Sequence, residues 1–183
     1  MASVREAALA RRSWPEVTDA APGDAELLEL LAAAGRVADH ASLVPWRVIA
    51  VRGEARERVG RALAAAAGAE GAAAAKLAAK PLRAPLLLAL VASTRPHPKV
   101  PEWEQDAAAA GVGHLLSLLL DEAGWGVMWR TGPLTRHPLV AEAHGLALGE
   151  HLLGWLYVGG RPDRARPERR DGPDPAGRLS SMG

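Results

Sequence analysis

Three short runs set guanidinium or hydroxyl donors beside flat ring surface: Arg11-Arg12-Ser13, Asp39 to Arg47 (DHASLVPWR) and Trp129 to Gly132 (WRTG). Donors beside a plane suit a planar ligand that carries a phosphate. In the first run two guanidiniums and a hydroxyl converge just before Pro15. They could clamp a phosphate through charge-assisted bonds of about 1.5–3 kcal/mol each. Equally, they are cations at a helix end, where the macrodipole favours them. In the second run Arg36, Asp39, His40 and Ser42 form a polar knot closed by Pro45-Trp46. His40 and Ser42 can donate to ligand hydroxyls or a ring carbonyl, or Asp39 and Ser42 simply cap the loop backbone. In the third, Thr131 and Gly132 end a strand, where N–H groups lose their ladder partners and glycine permits close approach. Trp129 could cover a ring face there, or be a core tryptophan at a plain strand exit.

Other signals are weaker. Arg161, after Gly159-Gly160, either adds a second phosphate clamp or begins a solvated tail. His137, His144 and His151 recur every seven residues, but Pro138 and Gly145 break any shared helix and no neighbour sits at ligand spacing. No metal site is expected. Glu102, Glu104 and Asp106 read as a helix N-terminus favoured by the dipole. The chain carries no Walker lysine motif, dinucleotide glycine fingerprint, nucleophile elbow or HExxH. Hydrolase and ATPase chemistry therefore lacks a nucleophile or a phosphate cradle.

The elements that must position these runs follow from composition and periodicity. The 183 residues allow one domain with a sizeable core. Only 4% are aromatic, with six Trp, one Tyr and no Phe, so Leu, Val and Ala must fill the interior. A net charge of +1 gives no field for a nucleic-acid backbone or an anionic membrane. The absence of cysteine removes disulfides and thiolate chemistry. No N-terminal apolar run flanked by basic residues argues for secretion, and apolar stretches are interrupted by charge or glycine, so a cytoplasmic protein is expected.

Ser3 to Arg11 reads as a short helix with a capping box. Gly23-Asp24 opens a second helix through Arg36, with Leu27, Leu28, Leu30 and Leu31 as its buried stripe. Arg47 to Arg52 is a strand. Glu54 to Lys80 is a loosely specified helical hairpin broken at Gly68 and Gly71. Leu86 to Ala92 is a strand covered on both faces. Prolines at 96, 98 and 101 force an extended loop. Glu102 to Ala123, apolar nearly all round in its second half, is expected to be buried at the centre. Trp125 to Thr131 and Leu152 to Val158 are strands, with a short helix from Leu139 to His144 between them. Helices outnumber strands without regular alternation, which favours α+β. From Arg161 onward the chain has no apolar period and is expected to be mobile.

Taken in order, these runs resemble the FMN-dependent nitroreductases, in particular their short bacterial NAD(P)H-dependent members, from about Arg5 to Gly160. RRS matches the family's first flavin segment, GRVADHASLVPWR its second, and GWGVMWRTG the segment against the isoalloxazine ring. KPLRAPLLLALVA and HPKVPEWEQ are similar to its central strand and the start of its dimer helix. The resemblance implies an α+β nitroreductase-like fold, a mostly antiparallel sheet flanked by helices, in a segment-exchanged homodimer. Residues 1–160 would form the FMN-binding domain and 161–183 a tail. Arg11, Arg12 and Ser13 would bind FMN from one subunit, and Arg36 and His40 would reach the flavin held mainly by the other. Trp129, Arg130 and Thr131 would line the ring and its N5 edge, and Arg161 matches a phosphate-binding arginine of some relatives.

The implied reaction passes hydride from NAD(P)H, through FMN, to a nitroaromatic or quinone-like acceptor by a ping-pong route. Two departures stand out. Pro15 stands two residues after Ser13, where many relatives have a further arginine, and Ser42 and Val44 replace an amide residue before Pro45-Trp46. The lost amide contacts motivate an alternative, a flavin protein for storage or sensing that does not turn over pyridine nucleotide.

Overall fold

The computed structural model describes residues 3–163, 172 and 174–182. Ser3 opens helix α1 (Val4–Ala10), its hydroxyl accepting from the Glu6 N–H while the Glu6 carboxylate accepts from the Ser3 N–H. This is the reciprocal cap that the residue types predict. Then follow α2 (Asp24–Ala34), β1 (Trp46–Val51), α3 (Glu54–Ala66), α4 (Gly71–Ala78), β2 (Leu86–Ser93), α5 (Glu102–Glu122), β3 (Trp125–Arg130), α6 (Pro138–Ala143) and β4 (Glu150–Gly160). The strands form one sheet in the order β1-β2-β4-β3, every neighbour antiparallel. The fold is α+β, as expected.

The sheet is covered on both faces because its central strand has no polar face. Every residue from Leu86 to Ala92 is buried. Leu86, Leu88 and Leu90 pack with Leu27 and Ala34 of α2 and with Val112, Leu116 and Leu120 of α5. Leu87, Ala89 and Val91 face the other way, against Val59 and Leu63 of α3 and Val140 of α6. Fully burying one such side chain is worth about 1.5–3 kcal/mol, so neither face can stay open. Leu153 is the extra residue of a bulge in β4, between the pairs Leu90↔Gly154 and Val91↔Leu152.

Three expectations change. Leu28 is 68% exposed; the stripe of α2 is Leu27, Leu30, Leu31 and Ala34, and Leu28 lies about 100° round the helix from Leu27. Helix α5 is not enclosed within one chain. It buries Gln105, Ala108, Ala109, Val112, Leu116 and Leu120 but leaves Ala107 and His114 exposed and Gly111 and Leu118 half-covered. The α3–α4 hairpin is more specific than its alanine content suggests. A Cβ on Gly60 would stand 2.1 Å from the Ala78 carbonyl oxygen, so the two backbones meet there. Of the tail expected to be mobile, residues 164–171, 173 and 183 lie outside the described residues. Among the described residues no helix is long and apolar enough to cross a membrane.

Two polar groups, one half-buried and one buried, pin the β4 side. Glu150 accepts a two-pronged bond from Arg47 (2.6 and 2.7 Å) and further bonds from Ser93 Oγ and Ala147 N–H. The Arg47 guanidinium foremost holds its carboxyl down at about 2. His144 accepts at Nε2 from the Trp155 indole (3.0 Å), and its Nδ1 lies 2.7 Å from the Val140 carbonyl. Burial is the main cause that lowers its pKa from 6.5.

Replacing Gly60 with Val is expected to cost about 1–3 kcal/mol, read as a lower midpoint in urea denaturation. Acid should weaken the fold in two legs. Both groups titrate lower in the folded state, so the unfolded chain binds protons first and stability falls with pH. The His144 contribution is complete above about 6.5 and declines below it. That of Glu150 persists to about 4.5 and is lost towards 2. Thermal melting against pH reads both legs, and His144→Asn should flatten the first.

Candidate functional site

The third run ends β3, and the segment that directly follows the first run docks on that strand's outer edge. The Trp14 N–H donates to the Val127 carbonyl (2.9 Å), and Thr18 bridges Gly160, which pairs with Trp125. The segment can lie this close because Gly126 and Gly159 carry no side chain. A Cβ on Gly159 would meet the Thr18 carbonyl oxygen at 2.6 Å. From Thr18 back to Trp14 the chain passes from the level of Trp125 to that of Val127, two residues along β3. Arg11 and Ser13 are exposed, Arg12 half-buried.

The hydrogen-bond inventory of this edge is incomplete. Arg12 uses one terminal nitrogen on the carbonyls of Leu9, Ala10 and Arg11, so it does cap the end of α1, yet its Nε is buried without a partner. The Trp129 Nε1 and the Arg130 Nε share that condition. Among the described residues these are the buried side-chain nitrogen or oxygen atoms with no partner, and all three belong to residues already singled out. A buried donor left unpaired costs about 1–3 kcal/mol, so a ligand acceptor fits the residues present.

The Trp129 ring is a core group as well. It wedges between α5 and β4, where a Cβ on Gly113 would meet it at 2.8 Å and one on Gly154 would meet its Nε1 at 2.6 Å. The His114 ring tilts against it at 4.7 Å. The expected ring cover is thus packed inside, leaving its N–H as the atom in need of a partner. Arg130 points to the opposite sheet face, 5.1 Å from the Tyr157 ring centroid. There a cavity of about 470 Å³ opens between the end of β3, α3, α4 and the 3₁₀ turn Lys80–Arg83. Thr131 and Gly132 form part of its wall.

The second run lies elsewhere. Asp39 receives the N–H groups of Leu43 and Val44 (3.1 and 2.7 Å), which is the capping role its type allows. Ala41, Ser42 and Val44 all have positive φ, at 63°, 51° and 48°. Three non-glycine residues in that region store roughly 1–3 kcal/mol each, the kind of strain that collects at ligand-binding loops. His40 Nδ1 contacts Glu104 Oε2 at 2.8 Å, and Arg36 is exposed. A second cavity, about 420 Å³, lies between this loop and the start of α5, lined by Val37, His40, Trp103, Glu104, Ala107 and Gly111 among others. The segment just after the first run instead meets the far end of α5, where the Trp14 indole donates to Asp121 (3.3 Å). Glu104 and Asp121 are about 25 Å apart along the helix. Within one chain, then, the segment directly after RRS meets β3 and the last turn of α5, while the His40 loop meets the first turn of that helix.

Comparison with known proteins can now be set beside this geometry. The nitroreductase family profile matches residues 8–160. The chain belongs to the nitroreductase family. YdjA of Escherichia coli K12, named after NAD(P)H nitroreductase activity, is 37% identical over 152 residues, covering 81% of this chain and 83% of that protein. The nitroreductase-like family protein of Bacillus cereus superposes with a TM-score of 0.85 at 25% identity, over 100% of this chain and 97% of the other. A nitroreductase with bound FMN from Bacteroides fragilis has the same fold at a TM-score of 0.77 and 17% identity, all of both chains being covered.

In this nitroreductase-family chain Arg161 is already committed. It pairs with Asp121 at 2.8 Å, donates to the Asp121 carbonyl, and stands 5.3 Å from the Trp14 ring centroid. Asp121 is 5% exposed, so the arginine neutralises a buried carboxylate and ties the N-terminal segment to the end of α5. The sequence reading missed Asp121, and it did not single out Lys80, Arg83 or Tyr157. Alternation along β4 was the available signal, since Trp155 and Tyr157 must share a face. Arg161→Ala should strand the Asp121 carboxylate and cost on the order of 3 kcal/mol in chemical denaturation. An arginine free to serve only as a phosphate clamp would leave stability unchanged.

Proposed function

We propose that this chain is an FMN-dependent oxidoreductase that takes reducing equivalents from NAD(P)H and passes them to a nitroaromatic or quinone-like acceptor by a ping-pong route. The observation that carries the reading is the coincidence of unpaired buried donors with the flavin-segment residues Arg12, Trp129 and Arg130. The name of YdjA and the FMN in the Bacteroides fragilis protein support it.

Bound FMN would supply the hydride chemistry, which no side chain offers. Arg11 and Arg12 would provide fixed positive charge for its phosphate or for the electron-rich edge of its ring, with Ser13 as a hydroxyl donor. The Thr131 backbone and the Trp129 N–H would orient the ring edge, while Arg130 turns to the opposite sheet face. Arg161, held by Asp121, would brace the wall near Trp14 rather than reach the phosphate. Arg36 and His40 would come from a second copy, because in one chain the His40 loop and the segment just after RRS meet opposite ends of α5. The half-covered Ala107–Gly111 stretch of α5 suits the close approach of that copy. Protons would come from solvent.

A second reading, flavin storage or sensing without pyridine-nucleotide turnover, rests on Ser42 and Val44, both exposed in the strained loop and neither offering an amide. The visible spectrum decides the first point. Purified protein should bind added FMN with one flavin per chain and sediment as two chains, and Arg12→Ala should weaken that affinity about tenfold or more. Protein that takes up no FMN sinks both readings. Flavin absorbance that survives anaerobic mixing with NADH and NADPH would favour storage over turnover.

A further inference from the structure

The cavity of about 470 Å³ beside the end of β3 has a charge pattern that FMN binding along the strand edge does not explain. Lys80, Arg83 and Arg130 all line it, and no carboxylate does. None of the three forms an ion pair among the described residues. Three like charges around a partly enclosed space repel one another, and a bound anion is what relieves them. Two of them, Arg130 and Arg83, act on one group. Arg130 lies over the Tyr157 ring, and Arg130 and Arg83 both act electrostatically on the Tyr157 hydroxyl, opposing the burial that raises its pKa. That hydroxyl therefore stays protonated and can donate. Apart from Thr131 and Thr135, the rest of the wall is mainly apolar. Trp155 and Tyr157 stand side by side on the sheet face, with Leu63 of α3 opposite them. The volume suits a molecule of one or two rings.

We propose that this cavity binds a small aromatic acid, its ring against Trp155, Tyr157 and Leu63 and its carboxylate between Lys80, Arg83 and Arg130. Thr131 and Gly132 belong to the same wall, so a nitro or quinone group on that acid would face the flavin edge. The acid's role as electron acceptor rests on the FMN reading above; its binding does not.

Benzoate, benzamide and inorganic phosphate, titrated calorimetrically into the purified protein saturated with whatever FMN it binds, test the cavity directly. Benzoate should bind at least tenfold more tightly than the isosteric amide, since one charge-assisted contact is worth about ten- to hundredfold. It should also exceed phosphate, which lacks the ring. Lys80→Ala/Arg83→Ala removes two exposed rim charges and should abolish the preference for the acid. Equal affinity for acid and amide, a preference that survives the double variant, or phosphate binding as tightly as benzoate would overturn the assignment. Turnover of 4-nitrobenzoate against 4-nitrobenzamide then separates the two claims. The double variant should lose the acid preference in kcat/KM while NADH still bleaches the flavin at the wild-type rate. Benzoate binding without any reduction of nitrobenzoate would keep the site and remove the acceptor role.

Discussion

Seven consecutive residues of β2 with no polar face among them impose the arrangement that everything else obeys. A strand of that kind must be roofed twice, so α2 and α5 cover one side and α3 and α6 the other. Once both faces are sealed, a ligand can reach the backbone only at an edge or a strand end. β1 is one edge and β3 the other. The N-terminal segment meets the first part of the β3 edge through Trp14, and the unpaired side-chain donors of Trp129 and Arg130 belong to the strand's other end. The candidate site is thus a consequence of how the sheet is covered.

Residues around that edge serve structure and chemistry at once. Arg12 caps α1 and keeps one donor unpaired. Trp129 fills a space cleared by two glycines yet leaves its indole N–H without an acceptor. These incomplete inventories contrast with polar groups placed purely for support. Gln105 exchanges bonds with the Arg95 backbone and reaches the Val100 carbonyl, pinning the proline-rich loop to α5, and Glu150 saturates its carboxylate from Arg47, Ser93 and Ala147. Complete sets hold the frame, and incomplete ones mark where something else is to bind.

Helix α5 sets the scale of the functional unit. Its first turn holds His40 through Glu104, and its last turn holds the N-terminal segment through Asp121. Small residues along its early turns keep one face thin. If both ends contribute to one ligand, two copies must be arranged head to tail along this helix, which ties the oligomeric proposal to the flavin proposal.

Local chemistry made much of this legible from the chain alone. The Ser3–Glu6 cap, the strand at Leu86 to Ala92, the break at Gly68 and Gly71 and the helix from Glu102 follow from neighbours a few residues apart, because backbone hydrogen bonding and side-chain periodicity act at that range. Two donor runs could likewise be recognised as runs. The fate of individual side chains could not. Leu28 turned outward, Trp129 turned into the core, and Arg161 went to Asp121, 40 residues earlier. Lys80, Arg83 and Arg130 became neighbours only when a helical hairpin folded over a sheet face. Such contacts depend on which surfaces are covered last, and covering is settled by the packing of the whole chain rather than by any window within it.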